Sequence, residues 1–424
     1  MKLYAHQSEA LEETENLTHV AFYHDMGLGK TFTGAEKMHR LGAWFNLVIC
    51  QKSKVRDWIE HFEDNYPDWV VFDGTKTEEL ESFVTTAPKG RRRVCVINYD
   101  LVWRRGGLLL GVNNFTLLLD ESSLIQNEKA KRSKFILKME PRNVILLSGT
   151  PTGGKYERLW SQLHLLGWNI SREMYWRQYV QVEYLDLAGN RSIPVVKGYR
   201  NVDRLKRKMH QHGCRFLKSD EVFDMPKQTF VKCHVNTTPV YRQFRKNRIV
   251  EFAGKELVGD TTLTRMLYER QLCGVHNAEK LKAFRDLVES TDDRLVVFYN
   301  FTDEMDAMRD ICEGELKRDT SLVNGTMKNL VAYETISNSI TFVQYQAGAM
   351  GLNLQKANKV IYFSLPLSSE LFEQSKKRIH RIGQEKPCFY YMLICRRSIE
   401  ERILKALEMR QDYTEKLFEK GVSE

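Results

Sequence analysis

HDMGLGKT, residues His24 to Thr31, is the segment from which the fold class can be predicted most directly. It directly follows the apolar run VAFY, which ends at Tyr23, and precedes the helical pattern FTGAEKMHRL. A strand, a glycine-rich loop and a helix in this order are typical of a phosphate-binding loop. The segment therefore predicts a nucleotide site at the end of a buried strand.

The residue types within this loop suit the chemistry of phosphate binding. Gly27 and Gly29 allow backbone N–H groups to approach phosphate oxygens. Lys30 can reach the β and γ phosphates, and the Thr31 hydroxyl can bind Mg2+ at the start of the helix. His24 stands where the general pattern has its first glycine, so the context, rather than the strict motif, supports the prediction.

A second acidic motif completes the predicted site. LLLDESS places Asp120 and Glu121 at the end of another apolar run. A carboxylate at that position can hold the magnesium ion, and its neighbour can activate the attacking water. The two motifs together predict ATP and Mg2+ as ligands.

The apolar runs outline two sheets. The first set of runs is VAFY, LVIC, RVCVINY, FTLLLD and NVILLSG, with helix-like stretches between them. A second set begins at LVVFYN and continues through TSLVNG, ITFVQYQAG and KVIYFSL. Strands that alternate with helices predict an α/β fold with two parallel sheets. Residues of about 155 to 285 lack such runs, so we expect helical insertions and a linker there, with a hinge near Phe223 to Lys232, where Pro226 interrupts any helix.

Composition limits the class of protein. The chain has 424 residues, too many for one ordinary core, and 42% of them are hydrophobic, as in folded globular proteins. A formal charge of +9 favours a polyanionic partner such as nucleic acid. The eight cysteines form no CxxC pair, which indicates a reducing compartment and no zinc knuckle. No signal peptide or membrane-spanning run is visible, so the expected localisation is intracellular.

The order of the motifs resembles that of Swi/Snf-type ATPases of helicase superfamily 2, almost from end to end. In the first half these are LYAHQ (Leu3 to Gln7), MGLGKT, LVICQKSKVRDW (Leu47 to Trp58), DESS and LLSGTP (Leu146 to Pro151). In the second half they are VVFYNF, QAGAMGLNLQ (Gln346 to Gln355) and QSKKRIHRIGQ (Gln374 to Gln384). The last string is the most diagnostic of all.

The resemblance implies an α/β fold of two RecA-like parallel-sheet lobes with helical insertions between them. Residues 1–222 would form the ATP-binding lobe, with a helical insertion at about 155–215. Residues 223–285 would form a linker and helical protrusion. Residues 286–424 would form the C-terminal helicase lobe with a closing C-terminal helix, in which Ile399, Ile403 and Leu407 are expected to pack in the core.

The resemblance also implies roles for individual residues. The expected catalytic residues are Lys30, Asp120, Glu121, Arg378 and Arg381, the two arginines acting as fingers that reach the γ-phosphate from the other lobe. Gln7 would read the adenine, and the remaining nucleotide contacts would come from Met26, Gly27, Leu28, Gly29, Lys30, Thr31, Gly351 and Gln374. Thr31 and Asp120 would hold Mg2+, and Ser148 and Thr150 would couple nucleotide state to the other lobe. Nucleic-acid contacts would come from Lys52, Ser53, Asn98, Tyr99, Asn300 and Gln346.

The spacing of the two arginines adds a structural prediction. Arg378 and Arg381 are about one helical turn apart, so on a helix both guanidinium groups would project from one face. The basic string around them could instead be a solvated face, a plausible reading for Lys376 and Lys377.

Three features depart from the family pattern. His24-Asp25 replaces the usual Asp-Glu before MGLGKT, and Ser122-Ser123 replaces the Ala/Gly-His that follows the paired carboxylates. The segment after NGT (Asn324 to Thr326) is short and lacks an arginine-led helix. The catalytic residues remain, but the Ser-Ser pair could alter how hydrolysis is coupled to DNA.

The expected function is an ATP-dependent translocase on double-stranded DNA. A strand-separating helicase acting on forked or single-stranded DNA, an RNA helicase and a non-hydrolysing nucleic-acid clamp are the alternatives. A dinucleotide-dependent enzyme is excluded, because GLGKT is not GxGxxG. The default oligomeric state is a monomer. The absence of accessory modules suggests a minimal bacterial or bacteriophage form that serves replication, recombination or repair in the cytoplasm.

Overall fold

The computed structural model of the chain describes residues 3–85, 90–187, 191–252, 254–348 and 352–418. The chain divides into two compact units, one formed by Met1–Val222 together with Asp412–Glu424 and the other by Phe223–Gln411. Each unit contains its own parallel sheet covered by helices. The α/β fold with two mostly parallel sheets is therefore confirmed.

The first unit contains nine strands and ten helices among its described residues. The strands are β1 (His19–His24), β2 (Phe45–Cys50), β3 (Val70–Asp73), β4 (Arg93–Asn98), β5 (Phe115–Asp120), β6 (Asn143–Leu147), β7 (Val180–Leu187), β8 (Arg191–Tyr199) and β9 (Cys214–Leu217). The helices are α1 (Ala5–Glu13), α2 (Lys30–Leu41), α3 (Val55–Asn65), α4 (Thr77–Thr85), α5 (Tyr99–Val102), α6 (Gly106–Leu109), α7 (Lys131–Ile136), α8 (Trp160–Leu165), α9 (Arg172–Tyr179) and α10 (Val202–Gln211).

The sheet of the first unit has the strand order β3-β4-β2-β5-β6-β1-β9, and its pairings are parallel. The central strands are apolar runs, as expected for strands that are covered by helices on both faces. All six residues of β4 are buried, for example. Because all strands run the same way, the carboxyl ends of β1, β5 and β6 lie at one edge of the sheet.

The second unit contains the remaining strands and helices. The strands are β10 (Gln228–Val235), β11 (Ile249–Phe252), β12 (Lys255–Val258), β13 (Leu295–Tyr299), β14 (Thr320–Val323), β15 (Lys328–Asn329), β16 (Ile340–Gln344), β17 (Lys359–Tyr362) and β18 (Cys388–Cys395). The helices are α11 (Pro239–Asn247), α12 (Thr262–Cys273), α13 (Ala278–Glu289), α14 (Thr302–Arg309), α15 (Val331–Thr335), α16 (Tyr345–Gly348), α17 (Ser369–Lys376) and α18 (Ile399–Phe418), and a π-helical segment, Asp310–Glu315, follows α14.

The sheet of the second unit has the order β10-β18-β17-β13-β16-β14-β15 and is parallel except for the β14–β15 pair. The segment predicted as a linker supplies one of its edge strands. β10 pairs with β18 over eight residues, from Gln228 opposite Cys388 to Val235 opposite Cys395. The linker prediction for this segment is therefore wrong. The reason is that a half-exposed edge strand carries polar residues on one face and shows no apolar run.

The predicted helical insertion also contains strands. β7 and β8 form an antiparallel hairpin, as do β11 and β12, and β9 joins the first sheet beside β1. The two hairpins form separate two-stranded sheets with many charged residues, so their strands are not marked by buried apolar runs. The helical patterns VDRLKRKM and PVYRQFRKN do form α10 and α11.

Helix caps explain where several helices of the second unit begin. The Thr238 hydroxyl accepts a hydrogen bond from the backbone N–H of Tyr241, and Pro239 follows in the first turn of α11. Asn277 caps α13 by accepting from the N–H groups of Glu279 and Lys280. These local signals fix the helix ends independently of packing.

The C-terminal end of the long helix α18 belongs to a different unit from the one predicted. Ile399, Ile403 and Leu407 are buried in the core of the second unit, as predicted. From Asp412 onward, however, the chain groups with the first unit rather than with residues 286–411. There the Tyr413 ring packs against the rings of Tyr156 and Tyr199, at centroid distances of 5.8 Å and 4.8 Å. Aromatic contacts therefore assign this end of the helix to the first unit.

The cysteines and the helices bear on two further predictions, of free thiols and of no membrane span. The eight cysteines lie within the described ranges and all are free thiols. Within those ranges, no helix combines the length and the apolar character that a membrane span requires.

Candidate active site

The loop between β1 and α2 has the backbone of a phosphate-binding loop. Gly27 and Gly29 have φ angles of +90° and +67°, in the left-handed region that glycine adopts most readily. Helix α2 begins at Lys30, directly after Gly29, so the N–H groups of its first turn lie beside the loop. Such groups bind anions. Met26 is half-buried and Leu28 is buried, so the predicted phosphate-binding residues form one continuous turn into α2.

Helix α1 holds the loop from one side. Gln7 Nε2 donates to the carbonyl oxygens of Leu28 and Gly29 at 3.3 Å and 3.1 Å, and its Oε1 accepts from Tyr4 N at 2.9 Å. His6 Nε2 lies 3.1 Å from the same Leu28 oxygen. The structure thus gives Gln7 a role in shaping the loop, and adenine recognition by Gln7 stays a prediction. The contact of His6 was not predicted.

Lys30 lies over the start of the loop. Its Nζ donates to the carbonyl oxygens of His24 and Asp25 at 2.9 Å and 3.1 Å. Gly149 comes close as well: a Cβ placed there would lie 3.3 Å from Met26 Cγ and 3.5 Å from Lys30 Nζ. The LLSGTP segment after β6 therefore packs directly against the phosphate-binding loop, and a Cβ at position 149 would make a tight contact with Met26.

His24, which departs from the family pattern, is enclosed at the end of β1. It is 1% exposed, and its Nδ1 has no hydrogen-bond partner among the described residues. Its ring meets the ring of Phe22 edge-on at 5.4 Å. Burial, assisted by the positive charge of Lys30, lowers the pKa of His24 to about 3. The imidazole is therefore neutral at physiological pH.

Asp25 connects the loop to the end of the first unit. Its backbone N–H donates to Leu217 O at 2.8 Å. Its carboxylate accepts from both the backbone N–H and the hydroxyl of Ser219, at 3.2 Å and 2.7 Å. This link could not be predicted from the sequence, because the partners are far apart along the chain and meet through the pairing of β1 with β9.

Asp120 ends β5 and is half-buried. Its Oδ2 accepts a hydrogen bond from Trp58 Nε1 at 2.8 Å. Burial raises the pKa of Asp120, whereas the Trp58 hydrogen bond and the charges of Lys30 and Lys54 act in the opposite direction. Trp58 lies within the predicted LVICQKSKVRDW motif, but its contact with the carboxylate was missed.

Glu121 has an unusual backbone. Its φ is +53°, in the left-handed region that costs a non-glycine residue about 1–3 kcal/mol and is found at functional sites. The Tyr99 hydroxyl donates to the carbonyl oxygens of Asp120 and Glu121 at 2.9 Å and 3.4 Å. The Ser148 hydroxyl donates to Glu121 Oε2 at 3.4 Å. These contacts hold Glu121 in this conformation.

The predicted coupling residues lie beside this carboxylate. Ser148 is fully buried, and its hydroxyl also accepts from Thr150 N at 3.1 Å. Thr150 Oγ1 is buried and has no hydrogen-bond partner in the described part of the chain. The structure thus brings Ser148 to Glu121, while the catalytic role of Glu121 and the coupling role of Ser148 stay predictions.

Thr31 and Asp120 form a donor set that fits Mg2+. Both offer oxygen ligands, which magnesium prefers, and Thr31 stands in the first turn of α2. Asp120 has one oxygen engaged by Trp58 and a second one for a cation or its water shell. When bound, Mg2+ would neutralise charge on the phosphates of ATP.

The predicted nucleic-acid contacts of the first unit divide into two groups. Lys52 and Ser53 are exposed in a short 3-10 turn that leads into α3, so they are accessible to a phosphate backbone. Asn98 and Tyr99 are 4% and 3% exposed. The Tyr99 hydroxyl supports the backbone of Asp120 and Glu121, and the nucleic-acid contacts of Asn98 and Tyr99 stay a prediction.

The second unit shows the same division. Gln346 is exposed on the short helix α16. Asn300 turns inward, and its Nδ2 donates to Ser364 Oγ at 2.8 Å and to Leu365 O at 3.1 Å. Asn300 thus has an internal structural role, and its contact with nucleic acid stays a prediction.

The arginine string QSKKRIHRIGQ is not helical at its two arginines. Helix α17 ends at Lys376, so Arg378 and Arg381 lie in turns, and the prediction of a shared helical face is wrong. Tertiary hydrogen bonds override the local pattern: Leu354 N donates to Arg378 O at 3.0 Å, and Arg381 Nη1 donates to Asn353 Oδ1. Burial lowers the pKa of Arg381.

Three other residues of the second unit were named above, two as nucleotide contacts and one as part of a solvated face. Gln374 is 5% exposed, and its Oε1 has no partner in the described ranges. Gly351 lies outside the described residues. Lys376 is 4% exposed, pairs with Glu373 at 2.7 Å and lies over the ring of Phe372, so it does not belong to a solvated face.

A buried group in the second unit resembles a metal site at first sight. Ligand atoms of Cys273, Cys395 and Glu400 lie within 4.8 Å of one another. Glu400, however, forms an ion pair with the fully buried Lys280 at 2.5 Å, and its other oxygen accepts from Cys395 N at 2.9 Å. An ammonium group thus occupies the position of a cation, and the group is a structural ion pair.

The fold and this site are those of a P-loop protein. The phosphate-binding loop, the paired carboxylates and the LLSGTP segment meet at the carboxyl edge of the first sheet. Two domain families match the chain in succession: the SNF2-related domain over residues 11–278 and the helicase conserved C-terminal domain over residues 279–383. The chain therefore belongs to the SNF2-related family, as the sequence motifs predict.

Similar proteins include chromatin-remodelling ATPases. The chain is 23% identical to SWI/SNF-related matrix-associated actin-dependent regulator of chromatin subfamily A member 1 of Mus musculus, over 91% of this chain and 40% of that protein. It is 24% identical to an ISWI chromatin-remodeling complex ATPase of Saccharomyces cerevisiae, over 90% of this chain and 37% of that protein. The chain thus spans about two fifths of the length of these relatives. It is also similar to the Sulfolobus solfataricus SWI2/SNF2 ATPase core in complex with dsDNA, with 19% identity, a TM-score of 0.44, and coverage of 98% of this chain and 92% of that chain.

Proposed function

We propose that this chain is an ATP-driven translocase that moves along double-stranded DNA. The observation that carries the proposal is the convergence of Lys30, Asp120 and Glu121 at one edge of the first sheet. The approach of Gly149 to Lys30 Nζ and the bond from Ser148 to Glu121 link the first two motifs to the third. Such an arrangement suits phosphoryl transfer to water.

The chemistry follows from the residues in place. Glu121 accepts a proton from water as the water oxygen attacks the γ-phosphorus of ATP, and the bond between the γ-phosphorus and the β,γ-bridging oxygen breaks. The products are ADP and inorganic phosphate. Lys30 stabilises the negative charge of the β and γ phosphates, and Thr31 and Asp120 hold Mg2+. Glu121 is suited to its task because Ser148 and the Tyr99 hydroxyl orient it.

Arg378 and Arg381 are proposed to stabilise the charge that develops in the transition state. This role rests on the sequence resemblance of QSKKRIHRIGQ. Arginine meets phosphate oxygens with a rigid fork of donors and stays protonated throughout the pH range of proteins.

Duplex DNA is the proposed track. Membership of the SNF2-related family supports it, as does the formal charge of +9. The exposed Lys52 and Ser53 lie at the start of α3, whose Trp58 donates to the Asp120 carboxylate. A phosphate bound at this turn would therefore lie at the start of the helix that contacts Asp120 of the ATP site. Contacts to phosphates predict binding that is insensitive to sequence and weakened by salt.

Steady-state ATP hydrolysis tests the proposal. Rates are compared for the protein alone and with double-stranded DNA, single-stranded DNA or RNA, with Glu121→Gln and Lys30→Ala as inactive controls. We expect the strongest stimulation by duplex DNA, with strong loss of activity in both variants. Displacement of a DNA-bound third strand would then show movement along the duplex.

The other outcomes point to other functions. Preference for single-stranded or forked DNA, with strand separation, would favour a helicase. Preference for RNA would favour an RNA helicase. Binding of ATP and DNA without hydrolysis under any condition would favour a nucleic-acid clamp and overturn the proposal.

A further inference from the structure

Gln162 makes three hydrogen bonds in the interior of the first unit. It lies on α8 and is fully buried. Its Oε1 accepts from the Tyr23 hydroxyl at 3.0 Å and from the Ser122 hydroxyl at 2.7 Å. Its Nε2 donates to Pro151 O at 2.8 Å. One side-chain amide therefore connects three segments that are separate in the sequence.

Each partner of Gln162 adjoins a motif of the ATP site. Tyr23 directly precedes His24, where the phosphate-binding loop begins. Ser122 directly follows Glu121, and Pro151 directly follows Thr150. The amide thus joins the ends of β1, β5 and β6 behind the residues that would act on ATP.

Helix α8 also holds the turn that follows the paired carboxylates. The Ser161 hydroxyl donates to Ile125 O at 2.7 Å, at the end of the 3-10 turn Ser122–Ile125. Gln126 Nε2 adds a second bond to Pro151 O at 3.2 Å. The turn and the LLSGTP segment are therefore fixed to the same short helix.

The hydroxyl of Ser122 explains why an amide is needed here. The resembled family has alanine or glycine at this position, which offers no side-chain donor. A hydroxyl that is 0% exposed needs an acceptor, because burial removes its hydrogen bonds to water. Gln162 supplies that acceptor. The bond between Ser122 and Gln162 is thus tied to the departure of this chain from the family pattern.

We propose that Gln162 is a positioning residue for ATP hydrolysis, which transmits the position of the LLSGTP segment to Glu121 through Ser122. The proposal rests on the proposed ATPase function. Glu121 has a left-handed backbone conformation that its surroundings must maintain, and Ser122 is its neighbour in the chain. A displacement of Pro151 therefore moves the Gln162 amide and, with it, the backbone of the general base.

The test uses a variant that removes the three hydrogen bonds of Gln162 together with most of the groups that form them, so that few buried polar groups are left unpaired. Tyr23→Phe, Ser122→Ala and Gln162→Leu are combined, and Pro151 O keeps its bond from Gln126. The matched control combines Thr116→Val with Asn143→Leu. It removes a buried 2.9 Å hydrogen bond between β5 and β6 at the ends of these strands that lie away from the ATP site. Circular dichroism and thermal unfolding establish that both variants are folded.

Two measurements follow. In DNA-stimulated hydrolysis, we expect the triple variant to lose about 10- to 100-fold in kcat while its KM for ATP changes less than about twofold. In hydrogen–deuterium exchange without nucleotide, amides of residues 121–126 and 148–152 should exchange faster in the triple variant only. The control should match the wild type in both measurements.

The outcomes separate this proposal from the proposed function. Wild-type kcat in a folded triple variant would overturn the positioning role. If the wild type itself does not hydrolyse ATP, the proposed function fails, and the exchange measurement still decides whether Gln162 links the two segments. Equal exchange in the wild type and the triple variant would overturn that link, as would equal effects of the triple variant and its control.

Discussion

The indole Nε1 of Trp58 donates a hydrogen bond to Oδ2 of Asp120 across 2.8 Å, although 62 residues separate them in sequence. Trp58 is 1% exposed and lies on α3, the helix that follows the exposed turn Lys52–Lys54. The bond fixes which oxygen of the carboxylate remains for magnesium. It also connects the predicted DNA-binding turn to the predicted metal ligand through a single helix.

Trp58→Phe should weaken Mg2+ binding. The ring still fills the core, but Asp120 loses a donor that orients it, and such outer partners of metal ligands typically contribute about 10- to 100-fold in affinity. We expect the Mg2+ midpoint of ATP hydrolysis to rise about tenfold. Trp160→Phe is the control, because it removes an indole bond of equal length, 2.8 Å, to the Ile170 carbonyl. Equal midpoints for Trp58→Phe and wild type would contradict the prediction.

Arg381→Ala should separate ATP binding from turnover. An arginine that meets charge developing only in the transition state contributes about a thousandfold to kcat and little to ground-state binding. We therefore expect near-normal ATP affinity in equilibrium binding and a loss of about a thousandfold in hydrolysis. Lys377→Ala, which removes a charge of the same sign from the same segment, should be close to wild type. Normal hydrolysis by Arg381→Ala would refute the finger role.

Gly29→Ala should destabilise the first unit more than Gly27→Ala does. Both glycines have positive φ, which costs alanine about 1–2 kcal/mol. Only at Gly29 would the added Cβ also meet a side chain, Gln7 Nε2, at 2.4 Å, whereas at Gly27 no atom lies within 4 Å. We expect losses in the free energy of unfolding of about 2–4 kcal/mol for Gly29→Ala and about 1–2 kcal/mol for Gly27→Ala.

Urea denaturation without nucleotide measures this difference, and a second substitution tests its cause. Gln7→Ala removes the atom that would clash, so it should restore part of the stability of Gly29→Ala. If the two glycine variants are equally stable, the clash is not significant.

His24 should make the first unit sensitive to acid. Its pKa is about 3 in the folded protein and 6.5 when unperturbed, so the unfolded chain binds its proton first as the pH falls. The stability due to the neutral imidazole is therefore complete above about pH 6.5 and is lost progressively towards pH 3. Urea denaturation at pH 7.5 and 4.5 should show a larger loss for the wild type than for His24→Gln. Identical losses would show that His24 titrates normally.

The centre of each sheet could be predicted from the sequence, but its edges could not. β1, β2, β4, β5 and β6 are apolar runs because helices cover both faces, and this leaves a clear pattern. β10 is half-exposed, so polar residues alternate along it, and the segment resembled a linker. Arg378 and Arg381 show a related failure, since tertiary bonds such as Leu354 N to Arg378 O replace the helix that their spacing suggests.

In the site, too, residues within local motifs could be predicted, whereas long-range contacts could not. The positions of Lys30, Asp120, Glu121 and Ser148 could be predicted because each lies at or near the carboxyl end of a buried strand and belongs to a recognisable motif. Trp58, Gln162 and the bond between Asp25 and Ser219 could not, because each depends on a contact between residues far apart in sequence. Such contacts are set by the packing of the finished unit and leave no local pattern. Buried Tyr99 shows the converse, since a position expected on the surface instead supports the site from within.

The position of β1 has a consequence for the order in which the protein is made. β1 lies between β6 and β9, so the strand that carries the phosphate-binding loop pairs with residues 143–147 and 214–217. A ribosome synthesises β1 early but supplies its second neighbour only after Leu217. Asp25 also finds Ser219 only then. During synthesis, the phosphate-binding loop therefore gains its contacts with β9 and Ser219 only after residue 219 has left the ribosome.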